Sequence, residues 1–130
     1  MVVAARDPVK GEAAVAALES LGVRSAFIAL DVRDEASCVN LIETVVADFG
    51  RVDVLVNNAG ANDRKQPEEY ALAEWHAIID PNLTSAFMLS QRVYPVMKNA
   101  GGGKIINIGS MMSIFGASFT VPYASSKGGI

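Results

Sequence analysis

Gly103-Lys104-Ile105-Ile106-Asn107-Ile108-Gly109-Ser110 is an apolar run that reads as a buried strand ending in a hydroxyl. Thirteen residues beyond Ser110 comes Tyr123-Ala124-Ser125-Ser126-Lys127, a tyrosine and a lysine four positions apart. Positions i and i+4 of a helix share one face, so this spacing predicts that Tyr123 and Lys127 point into the same space. A free phenol ionises only near pH ~10. An ammonium beside it favours the phenolate and brings it towards the range where acid/base catalysis operates. Ser110, at the mouth of the strand, is placed to hydrogen-bond the carbonyl or alcohol oxygen whose proton moves. Taken alone, the pair is equally a surface tyrosine with a solvated lysine, and the upstream sequence has to decide.

Upstream, Val54-Leu55-Val56-Asn57-Asn58-Ala59-Gly60 reads as a second buried strand running into a tight turn, and Asn82 falls between it and Ser110. These four elements, in this order and spacing, resemble the short-chain dehydrogenase/reductase family over essentially the whole chain. The resemblance implies an α/β fold, a partial doubly wound (Rossmann-like) parallel sheet with helices on both faces. It implies Tyr123 as general acid in reduction and general base in oxidation, with Lys127 tuning it and holding the nicotinamide ribose hydroxyls. Ser110 would orient the substrate oxygen; Ser113 competes, but only Ser110 has the family's thirteen-residue distance to Tyr123. Asn82 would help hold a water that links the lysine to solvent. Asn58, Ala59 and Gly60 would lie near the adenosine ribose, and Asp31 with Val32 would flank the adenine. Gly60 also meets a plain need for a small residue in a turn, and Asp31 alone reads as a solvated carboxylate. Pro81 departs from the pattern: it lacks a backbone donor and constrains Asp80, so the helix is expected to break there.

Ala5-Arg6 bears on the dinucleotide. A carboxylate at the end of this strand accepts from a ribose 2′-hydroxyl and repels a 2′-phosphate; Ala5 stands where the resemblance expects that acid. Arg6 follows, and a guanidinium grips phosphate in a fork geometry. The pair favours NADP(H) over NAD(H), against the plain reading of a surface arginine paired with Asp7. Met111, Met112, Phe115, Phe119 and Val121 suggest a partly apolar wall around a small carbonyl or alcohol substrate. The wording from Lys104 to Ser113 is similar to the gluconate 5-dehydrogenases and 3-oxoacyl-carrier-protein reductases of the family.

The rest of the chain agrees with an α/β domain. Asp7 with Pro8 reads as a helix start, Ala14, Leu18 and Leu21 recur at helical spacing, and Gly22 stops it. A strand over Ser25–Leu30, a helix from about Asp34 to Gly50 and a strand over Val52–Asn57 follow, an alternation that argues for a parallel sheet. Ala61 to Ala71 reads as a loop. Helices are expected over Leu72–Asp80 and from Asn82 to Lys98, the second apolar on more than one face and therefore a candidate oligomer contact. With the helix at Tyr123, it would join copies of the intact parent. The resemblance also places the family's first strand and Gly-rich turn before Met1 and further strands after Ile130. Residues 1–130 are thus expected to be a single incomplete domain of a longer enzyme. The alternative is a truncated, non-catalytic piece that associates with intact subunits. In the doubly wound order the absent strand lies between the two that end at Ala5 and Asn57, which leaves unpaired backbone groups or a gap closed by repacking.

Composition narrows the classes further. With 51% hydrophobic and 19% charged residues and a net charge of −3, the chain is globular in composition, and it shows no basic patch for nucleic acid. No apolar run approaches the ~18 residues of a membrane span. The single cysteine, Cys38, suits a reducing compartment, so the cytoplasm is expected. One histidine and one cysteine make no metal cluster; Trp75 reads as packing and His76 as surface.

Overall fold

Asp7 and Asp34 open helices for the same reason: each carboxylate accepts a backbone N–H that helix geometry leaves unpaired. Asp7 Oδ1 accepts from the Lys10 N–H at 3.2 Å and Asp34 Oδ1 from the Ala36 N–H at 3.1 Å. In the computed structural model, which describes residues 1–130, these caps start α1 (Pro8–Ser20) and α2 (Glu35–Phe49). α2 ends on Gly50, whose φ of 80° is a left-handed conformation that glycine adopts without strain.

Four strands alternate with the helices: β1 (Val2–Ala5), β2 (Ala26–Ala29), β3 (Val54–Asn57) and β4 (Lys104–Asn107). β1 pairs in parallel with β2, Val2 opposite Ala26, and β3 in parallel with β4, Val54 opposite Lys104. The expected parallel sheet is therefore present as two separate pairs, with no hydrogen bonds between β1 and β3. A cleft of about 1320 Å³ lies between them, lined by Val2, Ala4, Leu41, Val45, Leu55 and Leu89 among others. The gap stays open and is not closed by repacking. α2 packs on α4 (Ser85–Asn99), and Leu41 and Ile42 share a core with Leu30, Cys38, Leu89, Val93 and Met97. That core takes residues from next to both sheets and holds them apart.

The open arrangement corrects one expectation. β3 and β4 read as buried runs, yet Val54 and Val56 are 51% and 53% exposed, and all four residues of β4 are exposed. A two-stranded sheet with α4 against it has no second layer to cover the other face.

A second correction concerns Pro81. α3 (Leu72–Ile79) and α4 are joined by one π-helical turn, Asp80–Thr84, and the helical backbone runs through it without a break. The Ser85 N–H reaches back five residues to the Asp80 carbonyl, and the Ser85 hydroxyl donates to the Pro81 carbonyl at 2.7 Å. Proline removes one donor and crowds the preceding turn; widening that turn relieves both problems. Pro95 lies inside α4, again without ending it. α4 buries Ala86, Leu89, Val93 and Met97 and leaves Phe87 and Tyr94 exposed on its outer side. The chain ends in α5 (Val121–Gly129), and no helix is long and apolar enough to cross a membrane.

The core and the caps make unequal contributions. Leu89→Ala empties a buried position and should lower unfolding free energy by about 2–5 kcal/mol. Asp34→Ala removes one cap and should cost about 1 kcal/mol, and Phe87→Ala should stay within about 0.5 kcal/mol in a monomer. Denaturant midpoints of the three variants check this order.

Candidate active site

Tyr123 and Lys127 lie one turn apart on α5, with the Lys127 Nζ 5.8 Å from the centroid of the tyrosine ring. Lys127 is only 6% exposed, and its ammonium donates to the Ile108 carbonyl at 2.6 Å. A buried ammonium without a partner is very costly, so this bond fastens α5 to the chain just past β4. Ser110 follows two residues on. Its Oγ accepts from the Met112 N–H at 3.2 Å, while its own N–H donates to the Ser113 Oγ at 3.1 Å. Ser113 is thus engaged in bracing the Ser110 backbone, and the Ser110 hydroxyl keeps its hydrogen for another acceptor. The short 3-10 turn Met111–Ser113 packs against α5. Ser110 lies on the segment just past the C-terminal end of β4, and α5, which carries Tyr123 and Lys127, is fastened to that segment.

Asn82 sits in the π turn and is 2% exposed. Its Oδ1 accepts from the Ala61 N–H at 2.6 Å; its Nδ2 donates to the Ala61 carbonyl at 2.9 Å and to the Ser126 Oγ at 3.0 Å. Ser126 in turn donates to the Tyr123 carbonyl at 2.7 Å. Ser126 did not stand out in the sequence. The signal was there: a small polar residue three positions after Tyr123 faces the same side of the helix.

Asn58, Ala59 and Gly60 are not the tight turn expected of them. They continue as an irregular stretch, and Gly60 does not have a positive φ. Its need for glycine is one of space: a Cβ there would lie 3.0 Å from the Asn82 Oδ1 and 4.0 Å from the Lys127 Nζ. Gly60 and Asn82 line the large cleft together with Arg6, Val32, Asn58 and Ala59. Ser110, Tyr123 and Lys127 do not line it, though the Lys127 Nζ lies 4.0 Å from where a Gly60 Cβ would sit. The cleft is therefore a place where residues assigned to a dinucleotide meet, with Gly60 the junction to the lysine. Arg6 is exposed and makes no ion pair, since Asp7 pairs with Lys10 at 3.8 Å.

Asp31 has a partner that the sequence reading missed. Arg33 donates to it from its backbone N–H and Nε, both at 3.0 Å, and from its guanidinium at 2.6 Å. The Arg33 side-chain hydrogen bonds, with the backbone bond behind them, hold the Asp31 carboxyl far below the usual carboxylate range. The apolar wall is only partly assembled. Met111, Ile114 and Phe115 are largely exposed, and Phe119 carries the Arg64 guanidinium 5.5 Å above its ring. Val121 and Trp75 instead line a separate crevice of about 300 Å³. His76 is exposed.

Parallel strands, crossover helices and polar side chains near the strand ends define a partial α/β architecture of the Rossmann kind. The chain belongs to the short chain dehydrogenase family, which matches it over residues 1–130. It is 38% identical over 112 residues to 2-dehydro-3-deoxy-D-gluconate 5-dehydrogenase of Dickeya dadantii, covering 85% of this chain and 44% of that protein. It is also 38% identical over 110 residues to a 3-oxoacyl-[acyl-carrier-protein] reductase of Salmonella typhimurium, covering 85% of this chain and 45% of that protein. A crystal structure of gluconate 5-dehydrogenase from Burkholderia cenocepacia, in complex with NADP and tartrate, superposes with a TM-score of 0.91 at 32% identity. That match covers 98% of this chain and 50% of the other. The chain spans about half the length of the relatives it matches.

The Asp31–Arg33 fork gives a titration that can be followed. Because the folded carboxyl ionises at lower pH than the unfolded one, its stabilising contribution is complete above the ordinary carboxylate range. It is lost as the pH falls below that range towards the folded value. Arg33→Gln should return Asp31 towards about 3.9, read from the carboxyl carbon shift in an NMR titration.

Proposed function

We propose that the protein carrying these residues is an oxidoreductase that moves a hydride between NADP(H) and a carbonyl or secondary alcohol. The observation that carries the reading is the buried Lys127, fastened beside Tyr123 at the end of β4 within reach of the Ser110 segment. Tyr123 donates its hydroxyl proton to the carbonyl oxygen in reduction and takes it back in oxidation. Lys127 supplies the positive charge beside the phenol, and Ser110 donates its hydroxyl hydrogen to the same substrate oxygen. Asn82 holds the segment after β3 against α5, and so keeps the lysine's surroundings in register. When bound, the nicotinamide supplies or accepts the hydride. Arg6, Asp31, Val32, Asn58, Ala59 and Gly60 would hold the adenosine end, with Tyr123 and Lys127 at the nicotinamide ribose. Arg6, Val32, Asn58, Ala59 and Gly60 line one cleft, and the space at Gly60 is kept clear of a side chain.

Arg6, exposed and without a carboxylate partner, supports NADP(H) over NAD(H). The names of the relatives favour a sugar-acid ketone or alcohol as the substrate class, with an oxoacyl thioester as the other candidate. The outer side of α4, where Phe87 and Tyr94 are exposed, supports self-association of the intact protein, and the single cysteine, Cys38, supports a reducing, cytoplasmic setting.

Two experiments on the full-length polypeptide test this reading. Tyr123→Phe keeps the ring and removes the exchangeable proton, so turnover should fall by ~10²-fold or more, the usual scale of acid/base catalysis; near-normal turnover would refute the assignment. Ala5→Asp combined with Arg6→Ile should move the kcat/KM preference from NADPH towards NADH. A wild-type enzyme that already prefers NADH would overturn the role given to Arg6.

A further inference from the structure

We infer that Ser126 is a positioning residue for this reaction, acting through Asn82 to lock the catalytic helix against the π turn; the inference rests on the function proposed above. Ser126 is fully buried, at 0% exposure, and is the one side chain bonded both to Asn82 and to the backbone of Tyr123. Its single hydrogen goes to the Tyr123 carbonyl at 2.7 Å, so only lone pairs face Asn82. The Asn82 NH₂ group donates to that oxygen at 3.0 Å, while the Oδ1 accepts from the Ala61 N–H at 2.6 Å. The Ala61 N–H and carbonyl fix which way the amide points, and the Ser126 oxygen takes its remaining N–H.

A serine bonded only to the carbonyl three residues back would be an ordinary helix residue satisfying itself. The bond to Asn82 is different in kind, because it spans 44 positions and joins α5 to the π turn. Asn82 carries the connection on to Ala61, next to Gly60, whose absent Cβ would lie 4.0 Å from the Lys127 Nζ. Three segments, α5, the π turn and the stretch after β3, meet through one amide and one hydroxyl. Without the hydroxyl, the Asn82 NH₂ loses a partner at a position closed to water. The turn carrying Tyr123 and Lys127 then loses its only side-chain bond to the π turn.

The test is a double-mutant cycle in the full-length polypeptide, following kcat and KM with saturating cofactor. Ser126→Ala should lower kcat about tenfold or more, the scale of a small misplacement of reacting groups, with the carbonyl substrate's KM changed much less. Asn82→Ala should give a similar loss. The double variant should fall no further than Asn82→Ala alone, since residues acting as one unit are not additive. Ser126→Cys keeps the volume but is a weak hydrogen-bond partner and should resemble Ser126→Ala; Ser126→Thr keeps the hydroxyl and should recover turnover. Where threonine does not fold, as near-ultraviolet circular dichroism would show, the cysteine variant and the Asn82 cycle decide. Near-normal kcat in Ser126→Ala or Ser126→Cys, or additive losses with Asn82→Ala, would overturn the inference while an inactive Tyr123→Phe upholds the proposed function. A fully active Tyr123→Phe would overturn both.

Discussion

The Lys127 ammonium lies in a place that would exclude it without the Ile108 carbonyl. Burying an ammonium without a partner costs several kcal/mol even after relaxation, so a fixed acceptor has to meet it there. That acceptor lies just past β4, and its position depends on the parallel pairing of β4 with β3. The bond therefore couples the strand pair to α5. It brings Tyr123 and Ser110 to one end of the sheet, although Ser110 sits on an irregular segment and Tyr123 on a helix.

Around this anchor the polar groups are placed by backbone irregularities. Pro81 widens one turn of the α3–α4 helix into a π turn, and Asn82 is the next residue in it. The proline that reads in the sequence as a helix break marks a local distortion that carries Asn82. Gly60 completes the arrangement by leaving room for the amide oxygen. Beyond it the cleft keeps the β1–β2 pair apart from the β3–β4 pair, with α2 and α4 as the common support. The apolar faces of β3 and β4 stay open because nothing in these 130 residues covers them.

Local sequence determined a good deal here. Asp7, Asp34, Gly22 and Gly50 mark helix ends through bonds or dihedrals that involve only a few neighbouring residues, so they are legible without a fold. The i, i+4 spacing places Tyr123 and Lys127 on one face of a helix by the geometry of the helix alone, and the order of motifs carries the family. Tertiary structure alone decided the rest. The burial of β3 and β4 depends on layers contributed by distant segments, so their apolar composition could not reveal it. The reason for Gly60 is the approach of Asn82, 22 positions away. Ser126 becomes distinct from Ser125 only when Asn82 arrives beside it. A hydroxyl's role is set by its partners, and those partners meet only once the chain has folded.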